Sequence, residues 1–381
     1  MNTIAIENNT TTDEMSRPAA RTRFRPHSIY DYTLDELTNW FRERGEPAYR
    51  AKQLYNWVFR NHAIDYGQVT VLPTTMRARL AEELPFQALT PIHEIETDDG
   101  ETLKVLYRTA DGQTLETVLM FYPDRSTVCV SCQVGCAVGC SFCATGLMGL
   151  QRNLSAGEMV AQVVDMARRS KERGRPLTNI VMMGMGEPFH NYDNVMKMVA
   201  ILNQPEGMQF GSRRITISTS GVVPSIDKLA TEPYQVNLAI SIHAANDELR
   251  SSMVPLNRRW PLNELIASIR RYISTTHRRV SFEYALIAGV NDSDDDARQL
   301  ARRLKGLLCH VNLIPLNPTP AFPYERPTVE RIERFAEVLN DTGIPATVRY
   351  SRGVEIAAAC GQLHIEHQKR GAGPAPVPSP A

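Results

Sequence analysis

The sequence lacks any apolar run that approaches the roughly 18 residues needed to cross a membrane. It also lacks a hydrophobic signal sequence, so we expect a cytoplasmic protein with no membrane partner. An excess of charge of either sign is missing as well, because Lys+Arg and Asp+Glu both number 42. Net charge therefore gives no indication of the binding partner. A hydrophobic content of 43% in 381 residues nevertheless predicts a large buried core.

Internal repeats are also absent, which excludes a solenoid fold. Both ends of the chain contain few residues that a core could bury. Residues 1–27 are polar and rich in threonine and then arginine, and residues 367–381 are rich in proline, alanine and glycine. This composition predicts two disordered tails on either side of a folded region.

Cysteine is scarce, with seven in the chain, yet five lie in the stretch CVSCQVGCAVGCSFC at residues 129–143. Cys136, Cys140 and Cys143 have the spacing C-x3-C-x2-C, which can hold a metal ion or an iron–sulfur cluster. A structural zinc site needs four ligands, usually as two separated pairs, and no second pair follows downstream. The pattern favours a [4Fe–4S] cluster whose fourth iron is open to a small molecule. Zinc and disulfide bonds are the alternatives.

Two smaller regions precede the cysteine-rich stretch. Residues 28–90 read as short helices, the first of them opened by Thr33 with Glu36 at the capping-box position and closed by Gly45. Residues 91–126 contain two β runs joined across a turn at Asp111 and Gly112. We therefore expect a helical accessory domain followed by a short β extension.

Residues 127–366 alternate between apolar strands and amphipathic helices. Strands are predicted at 127–131, 179–184, 213–218, 236–242, 279–286 and 310–315, and helices at 155–172, 191–203, 261–275 and 293–305. Such alternation is typical of a parallel sheet with helical crossovers. The fold class is therefore α/β, and six strand–helix units predict a partial (β/α)6 barrel rather than the closed eight-unit form. The missing units would leave a lateral opening for a large substrate.

Small and hydrogen-bonding residues follow the predicted strands. Ligand sites in parallel α/β folds gather where the strands end. The residues concerned are Gly186 and Glu187 in GMGEP, Ser218 in STSG, Ser241, Ile242 and His243 in SIH, and Asn317 in PLNP. Taken singly each motif is weak, because a turn or a satisfied core histidine explains it equally well. Their joint position beside the cysteines favours a zwitterionic nucleoside ligand, S-adenosylmethionine (SAM), bound next to the cluster.

The cysteine spacing after a first strand, with a glycine-rich strand end that contains Glu187, resembles the radical SAM superfamily. Longer motifs resemble the RlmN/Cfr family of radical SAM adenine methyltransferases that act on RNA. They are CVSCQVGCAVGCSFCATGLMGLQRNL, VMMGMGEP, ISTSGVVP, LAISIH and RGVEIAAACGQL, and they extend the resemblance from about residue 30 to residue 366. The resemblance implies that residues 28–90 bind RNA and that one [4Fe–4S] cluster and two SAM molecules serve each turnover.

The resemblance also implies roles for three further residues. The position of Cys360 in ACGQL is that of a cysteine which accepts a methyl group from one SAM and then carries it to the adenine as a transient protein–RNA thioether. Cys129 matches the cysteine that helps to release this adduct, by removing a proton and forming a disulfide with Cys360. Glu116 matches the position of a proton acceptor.

The implied substrates are adenine 2503 of 23S rRNA, in the peptidyl transferase centre, and adenine 37 of some tRNAs. RlmN-type enzymes methylate C2 of the adenine and Cfr-type enzymes methylate C8. Pro188 in GMGEP favours C2, because Cfr tends to have alanine there. C8 methylation stays the alternative within the family, and a metal-binding RNA module without activity is the alternative outside it. A flavodoxin or ferredoxin is the implied electron donor, and we expect a monomer.

Several residues remain outside these motifs. Cys132 stands where the family usually has serine, and we interpret it as a tolerated replacement rather than a ligand. Cys309, within an apolar strand, is expected in the core. Six arginine doublets could face phosphate groups or could equally be solvated surface: Arg168-Arg169, Arg213-Arg214, Arg258-Arg259, Arg270-Arg271, Arg278-Arg279 and Arg302-Arg303.

Overall fold

The computed structural model describes residues 28–318 and 322–350. The two predicted tails and Cys360 lie outside these residues. The amino-terminal region contains helices α1 (Leu34–Arg42), α2 (Ala48–Phe59) and α3 (Thr74–Glu83). The predicted capping box is confirmed, since the Glu36 N–H donates to Thr33 Oγ1 at 3.2 Å and the Thr33 N–H donates to Glu36 Oε2 at 2.8 Å.

Strands β1 (Leu89–Glu96), β2 (Thr102–Thr109) and β3 (Thr114–Tyr122) form the β extension as an antiparallel sheet. The predicted turn at Asp111 and Gly112 joins β2 to β3, and Gly112 has φ +84°, a conformation that favours glycine. Strand β1 was not expected. The predicted boundary between residues 90 and 91 falls inside it.

The rest of the described chain alternates as predicted. In chain order the elements are β4 (Arg125–Cys129), β5 (Gln133–Gly135), α4 (Ala144–Leu147), β6 (Leu150–Asn153), α5 (Ala156–Glu172), β7 (Asn179–Met182), α6 (Tyr192–Asn203), β8 (Ile215–Thr219), α7 (Val223–Leu229), β9 (Asn237–Ser241), α8 (Asp247–Met253), α9 (Leu262–Thr276), β10 (Val280–Leu286), α10 (Asp294–Leu304), β11 (Cys309–Pro315), α11 (Val329–Asp341) and β12 (Ala346–Val348).

One ten-stranded sheet unites the extension and the barrel, in the order β1-β2-β3-β4-β7-β8-β9-β10-β11-β12. From β4 onwards the strands of this sheet run parallel, and β3 joins β4 antiparallel. Within the described chain β1 and β12 are the two edges, so the sheet stays open, in agreement with a partial barrel. Strand β12 adds a seventh parallel strand that the sequence reading did not include. No helix of the described residues is both long and apolar enough to cross a membrane.

Two buried hydrogen bonds are among the contacts that hold the amino-terminal region against the barrel. The carboxylate of Asp31 accepts from the Gly157 N–H at 2.7 Å and so caps the start of α5 from another domain. Gly157 is required there, because a Cβ atom would lie 2.3 Å from this carboxylate. The Tyr55 hydroxyl donates to the Ile201 carbonyl at the end of α6. The accessory region is therefore packed on the barrel through specific hydrogen bonds.

Alternation along the strands separates the two faces of the sheet. Thr117 on β3 and Tyr107 on β2 hydrogen-bond to Gln162 and Asp165 of α5, so these residues face the helical layer. Neighbouring positions on the same strands must point to the opposite, inner face. Lys104 lies opposite Val118, and Val118 lies opposite Cys129, so one row of inward-facing positions crosses β2, β3 and β4.

Candidate active site

The three predicted cluster ligands lie on one loop between β5 and α4. The loop is closed at its base by the β5–β6 hairpin, where the Cys136 N–H donates to the Gly149 carbonyl at 3.1 Å. Gly135, at φ +76°, passes so near that a Cβ atom would lie 1.8 Å from this oxygen. The Ser141 N–H donates to the Met253 carbonyl, which ties the loop to the end of α8. These contacts position the three thiols at the carboxyl end of the parallel strands.

The thiols are partly buried and none forms a disulfide within the described residues. Burial raises the pKa of Cys136 to about 12, and the charges of Glu187 and Cys143 contribute further. Burial also raises the pKa of Cys140, followed by the charges of Cys143 and Cys136. Three mutually repelling thiolates on one loop need a positively charged group to bind them together. No three His, Cys, Asp or Glu side chains among the described residues converge as they would around a metal ion. Three thiols on one loop are the donor set that a [4Fe–4S] cluster with one open iron uses.

Gly186 and Glu187 form the turn at the end of β7. Gly186 has φ +109°, and a Cβ atom there would lie 2.6 Å from Gln133 and 2.9 Å from the Cys132 sulfur. The Glu187 carboxylate is buried and accepts from the Ser220 N–H and hydroxyl, each at 2.7 Å, and from the Phe189 N–H at 3.0 Å. Glu187 therefore joins the ends of β7 and β8 immediately beside the cysteine loop.

The next two strand ends carry Ser218, Ser241, Ile242 and His243. The hydroxyl groups of Ser218 and Ser241 lie 3.3 Å apart across β8 and β9, and the Ile242 N–H donates to the Glu283 carbonyl. The strand ends are thus adjacent in space, as the sequence predicted. None of the described contacts tests their assignment to SAM, which stays a prediction.

His243 has two of the features expected of a structural histidine. Its Nδ1 accepts from the Ala285 N–H at 3.0 Å, and its ring packs edge-on against Phe142 of the cysteine loop at 4.9 Å. Burial and then the positive charge of Arg250 lower the pKa of His243 to about 3. The imidazole is therefore neutral, and it supports the loop that holds the thiols.

Asn317, at the end of β11, supplies an observation that favours a bound ligand. Its side-chain oxygen is buried and has no hydrogen-bond partner in the described part of the chain. A buried carbonyl oxygen without a donor costs stability unless a ligand satisfies it. The amino or ribose groups of SAM could donate to it, so this residue fits the predicted ligand.

Arg250 is a site residue that sequence reasoning missed. It lies on α8, is only 1% exposed, and donates to the carbonyl groups of Ser220, Ser241 and Ile242 and to the Asn257 side chain. Burial lowers its pKa to about 10, and the charges of Cys140 and Asp247 oppose this shift. Arg250 therefore holds the ends of β8 and β9 together and places a positive charge near the cysteine loop.

Glu116 and Cys129 lie on the inner face of the sheet. Cys129 is opposite Val118 and Glu116 is two residues before Val118, so both side chains point to the same side. Burial raises the pKa of the Cys129 thiol to about 12. The N–H of Met183 opposes this rise, the negative charge of Glu116 adds to it, and Lys104 opposes it. The thiol is therefore protonated at neutral pH, beside a carboxylate.

Lys104 was also missed, and it is the buried partner of Glu116. Its ammonium group lies 2.8 Å from Glu116 Oε2, and the two side chains are 0% and 3% exposed. A buried carboxylate is expensive unless it is paired. Lys104 therefore supplies the oppositely charged partner that the buried Glu116 side chain requires.

We expect Lys104→Met to lower the free energy of unfolding by about 3–5 kcal/mol, because it leaves the Glu116 carboxylate buried without its cation. The double variant Lys104→Met/Glu116→Gln removes both charges and should recover most of that loss. Urea unfolding of the two variants beside the wild type measures both values. Equal losses of unfolding free energy in the single and double variants would show that the Lys104–Glu116 ion pair does not stabilise the fold.

Cys132 and Cys309 occupy the positions expected of packed residues. Cys132 is 2% exposed and its sulfur lies against the Gly186 turn, and Cys309 is buried at the start of β11. Cys132→Ser should leave the iron content unchanged and cost roughly 1 kcal/mol of stability, because a hydroxyl replaces a buried thiol. Iron analysis after anaerobic reconstitution checks this. A large loss of iron would identify Cys132 as a ligand.

Two family models match the sequence, one in the barrel and one in the amino-terminal region. The sequence matches the family model described as the radical SAM superfamily over residues 130–301. It also matches the model described as the ribosomal RNA large subunit methyltransferase N-terminal domain over residues 27–85. The two matches together cover both the barrel and the helical region in front of it.

Similar proteins extend over nearly the whole chain. A protein of Chloroflexus aurantiacus named probable dual-specificity RNA methyltransferase RlmN is 51% identical over 350 residues, which are 89% of this chain and 93% of that relative. A protein of the same name from Geobacillus kaustophilus is 45% identical over 361 residues, with coverages of 93% and 99%. A solved structure of a radical SAM methyltransferase from Sphaerobacter thermophilus is 68% identical to this chain and has a TM-score of 0.88. The match covers 88% of this chain and 99% of that chain.

Proposed function

The chain belongs to the RlmN family of radical SAM RNA methyltransferases, and we propose that it methylates C2 of an adenine in 23S rRNA and of an adenine in some tRNAs. The dual-specificity names of its relatives support the two RNA classes. GMGEP, with Pro188, supports C2 over the C8 alternative. The monomeric state, the cytoplasmic location and a flavodoxin or ferredoxin as electron donor stay predictions.

One observation carries the proposal. The inner face of the sheet brings the Cys129 thiol and the Glu116 carboxylate together, at the first strand of the barrel and next to the loop that holds the three cluster cysteines. A metal-binding module that only folds a loop has no need of a buried thiol beside a buried carboxylate at this place. A methyl transfer that ends in proton removal needs both.

Residues of this chain would hold the cofactors of the family, and their donor chemistry fits. Three thiols on one loop suit a [4Fe–4S] cluster with one open iron. Bound there together, cluster and SAM supply a 5′-deoxyadenosyl radical. Gly186, Glu187, Ser218, Ser241, Ile242, His243 and Asn317 are the residues we propose to surround SAM.

The protein side of the reaction depends on two cysteines. Cys360, which lies outside the described residues, takes a methyl group from one SAM molecule as a thioether. After the loss of one hydrogen atom its methylene carbon bonds to C2 of the adenine, and the adduct gives up one electron, which the bound cluster would take back. Glu116 accepts the proton displaced from C2, and the RNA is then attached to the chain as a thioether. The sulfur of Cys129 bonds to the sulfur of Cys360 while the bond between that sulfur and the methylene carbon breaks; the Cys129 thiol gives up its proton, and the carbon keeps the electron pair, gains a proton and leaves on the RNA as a methyl group. A thiol reductant from outside the chain reduces the disulfide before the next turnover.

The proposal is tested by methyl transfer under anaerobic conditions. Reconstituted protein, with about four irons and four sulfides, is incubated with 23S rRNA or tRNA, a reductant and SAM labelled in its methyl group. We expect label in the RNA only when the reductant is present. Binding of RNA without SAM cleavage or label would instead support the metal-binding module.

A further inference from the structure

A concave region lies at the end of the barrel opposite the cysteine loop. It is a cavity of about 650 Å³ where the parallel strands begin. Arg213 lies two residues before β8, Arg278 and Arg279 directly precede β10, and His310 is the second residue of β11. Arg349, directly after β12, completes the basic lining. We call this region the arginine mouth.

Other arginines with the same doublet pattern are neutralised by acids. Arg168 pairs with Asp165 and Glu172, and Arg169 pairs with Glu94 and Asp165. Arg271 pairs with Asp227 at 2.7 Å. Arg168, Arg169 and Arg271 therefore belong to surface ion-pair networks. This agrees with the hypothesis that these doublets are solvated surface rather than phosphate contacts.

The arginine mouth differs, because no described carboxylate lies within 4.0 Å of the nitrogens of its four arginines. The hydrogen bonds of three of these arginines are to neutral groups. Arg213 donates to Gln235 Oε1 at 2.7 and 2.9 Å, Arg278 donates to Asn237 Oδ1 at 2.8 Å, and Arg349 donates to Asn312 Oδ1 at 3.1 Å. These three guanidinium groups are thus held in place by hydrogen bonds, and no described carboxylate pairs with them or with Arg279.

His310 lines the same cavity as Arg279 and Arg349. Burial lowers the pKa of its imidazole, and the positive charges of these two arginines lower it further. Glu283 lies deeper in the barrel and accepts from Ser281 at 3.1 Å and from Asn312 at 2.9 Å. Burial raises the pKa of its carboxyl group, and the two hydrogen bonds and the charge of Arg349 oppose this rise.

A further donor is available inside this region. The Nε of Arg278 is buried and has no hydrogen-bond partner among the described residues. Arg279 is exposed at the rim and forms no hydrogen bond with any described group. Guanidinium groups bind phosphate through paired N–H donors and remain charged at every physiological pH. The mouth thus offers free donors and a positive field in a cavity of small-molecule size.

We propose that the arginine mouth is a phosphate-binding site, separate from the methyl-transfer site and independent of the proposed function. The ligand chemistry is a phosphate or pyrophosphate group. It can come from a free phosphate-bearing molecule that enters the cavity or from the backbone of a bound RNA, and the two sources share the same recognition by Arg213, Arg278, Arg279 and Arg349.

Calorimetric titration of the full-length holoprotein with inorganic pyrophosphate tests the site. We expect saturable one-to-one binding that weakens as salt rises. Arg279→Gln should weaken it at least about tenfold, in line with the loss of one charged contact, and Arg213→Gln should do the same. Arg271→Gln, whose arginine is paired with Asp227, is the matched control and should leave binding unchanged.

RNA distinguishes the two sources. If pyrophosphate competes with RNA and Arg279→Gln also weakens RNA binding, the phosphate belongs to the RNA backbone. If RNA affinity stays unchanged while pyrophosphate binding falls, the ligand is a free molecule. Absence of saturable pyrophosphate binding to the wild type, or equal binding by Arg279→Gln and Arg271→Gln, would overturn the proposal. Methylation of RNA by the wild type is measured separately, so its failure and the failure of this site are distinguishable.

Discussion

We expect replacement of Cys140 with alanine to abolish SAM cleavage and RNA methylation and to remove most of the bound iron. The reason is the donor count, because the loop supplies three thiols and two thiolates do not hold a [4Fe–4S] cluster. No neighbouring cysteine can substitute. The Cys132 sulfur packs against the Gly186 turn, and Cys129 lies on the inner face of β4. Cys136→Ala and Cys143→Ala should behave in the same way.

Iron and sulfide analysis after anaerobic reconstitution, together with the visible absorbance of the cluster, measures this result. Cys309→Ala is the matched control, because Cys309 is also a buried thiol but lies at the start of β11, at the end of the barrel away from the loop. It should keep the wild-type iron content. Full iron content in Cys140→Ala would remove the basis for the cluster assignment.

We expect the Cys129→Ala variant to stay covalently bound to its RNA through a thioether, and the Cys360→Ala variant to form no such adduct. Without Cys360 there is no methyl carrier, so neither methylated protein nor methylated RNA forms. Without Cys129 the methyl group still reaches Cys360 and the adenine, but the thioether cannot be resolved. Cys129 lies on β4 and is not one of the three cysteines with the ligand spacing, so the cluster should be retained in this variant.

Denaturing electrophoresis measures the second effect as a protein–RNA band that survives denaturant and shrinks under nuclease to a nucleotide-sized remnant. Proteolysis and mass spectrometry should locate this remnant at Cys360. Cys132→Ser is the control, because it changes a nearby thiol that does not belong to the inward-facing row of Lys104, Val118 and Cys129. It should give no adduct. Normal RNA methylation by Cys129→Ala, with Cys360 unmodified, would contradict the two-cysteine scheme.

Much of the fold could be predicted because its signals are local. Capping boxes at Thr33 and at Ser155 set the starts of α1 and α5, and both are present in the structure. The barrel strands are continuous apolar runs, which a buried parallel sheet requires. Motifs at strand ends could be placed near one another without coordinates, because parallel strands end at the same edge.

The missed elements have no such signal. Strand β1 has the sequence LTPIHEIE, with one proline and four polar residues, and within the described chain it pairs on one side only, as the sheet edge. Strand β12 has three residues and is also an edge. Short or polar edge strands exist through pairing with a neighbour rather than through their own composition.

The missed site residues depend on contacts that are distant along the chain. Lys104 and Glu116 meet across a hairpin, and nothing in the sequence of either strand marks them as a buried pair. Arg250 stands in DELRSSM, which resembles an exposed helix, yet its side chain reaches under two strand ends. Only the register of the sheet and the packing of α8 reveal these two cations.

The most direct test of the central claim is mass spectrometry of the RNA nucleosides after several turnovers with SAM that carries a fully deuterated methyl group. The account predicts 2-methyladenosine with two deuterium atoms, because the methyl carbon loses one hydrogen atom on Cys360 and later gains a proton. Methylation at C8, or a methyl group that keeps all three deuterium atoms, would contradict it.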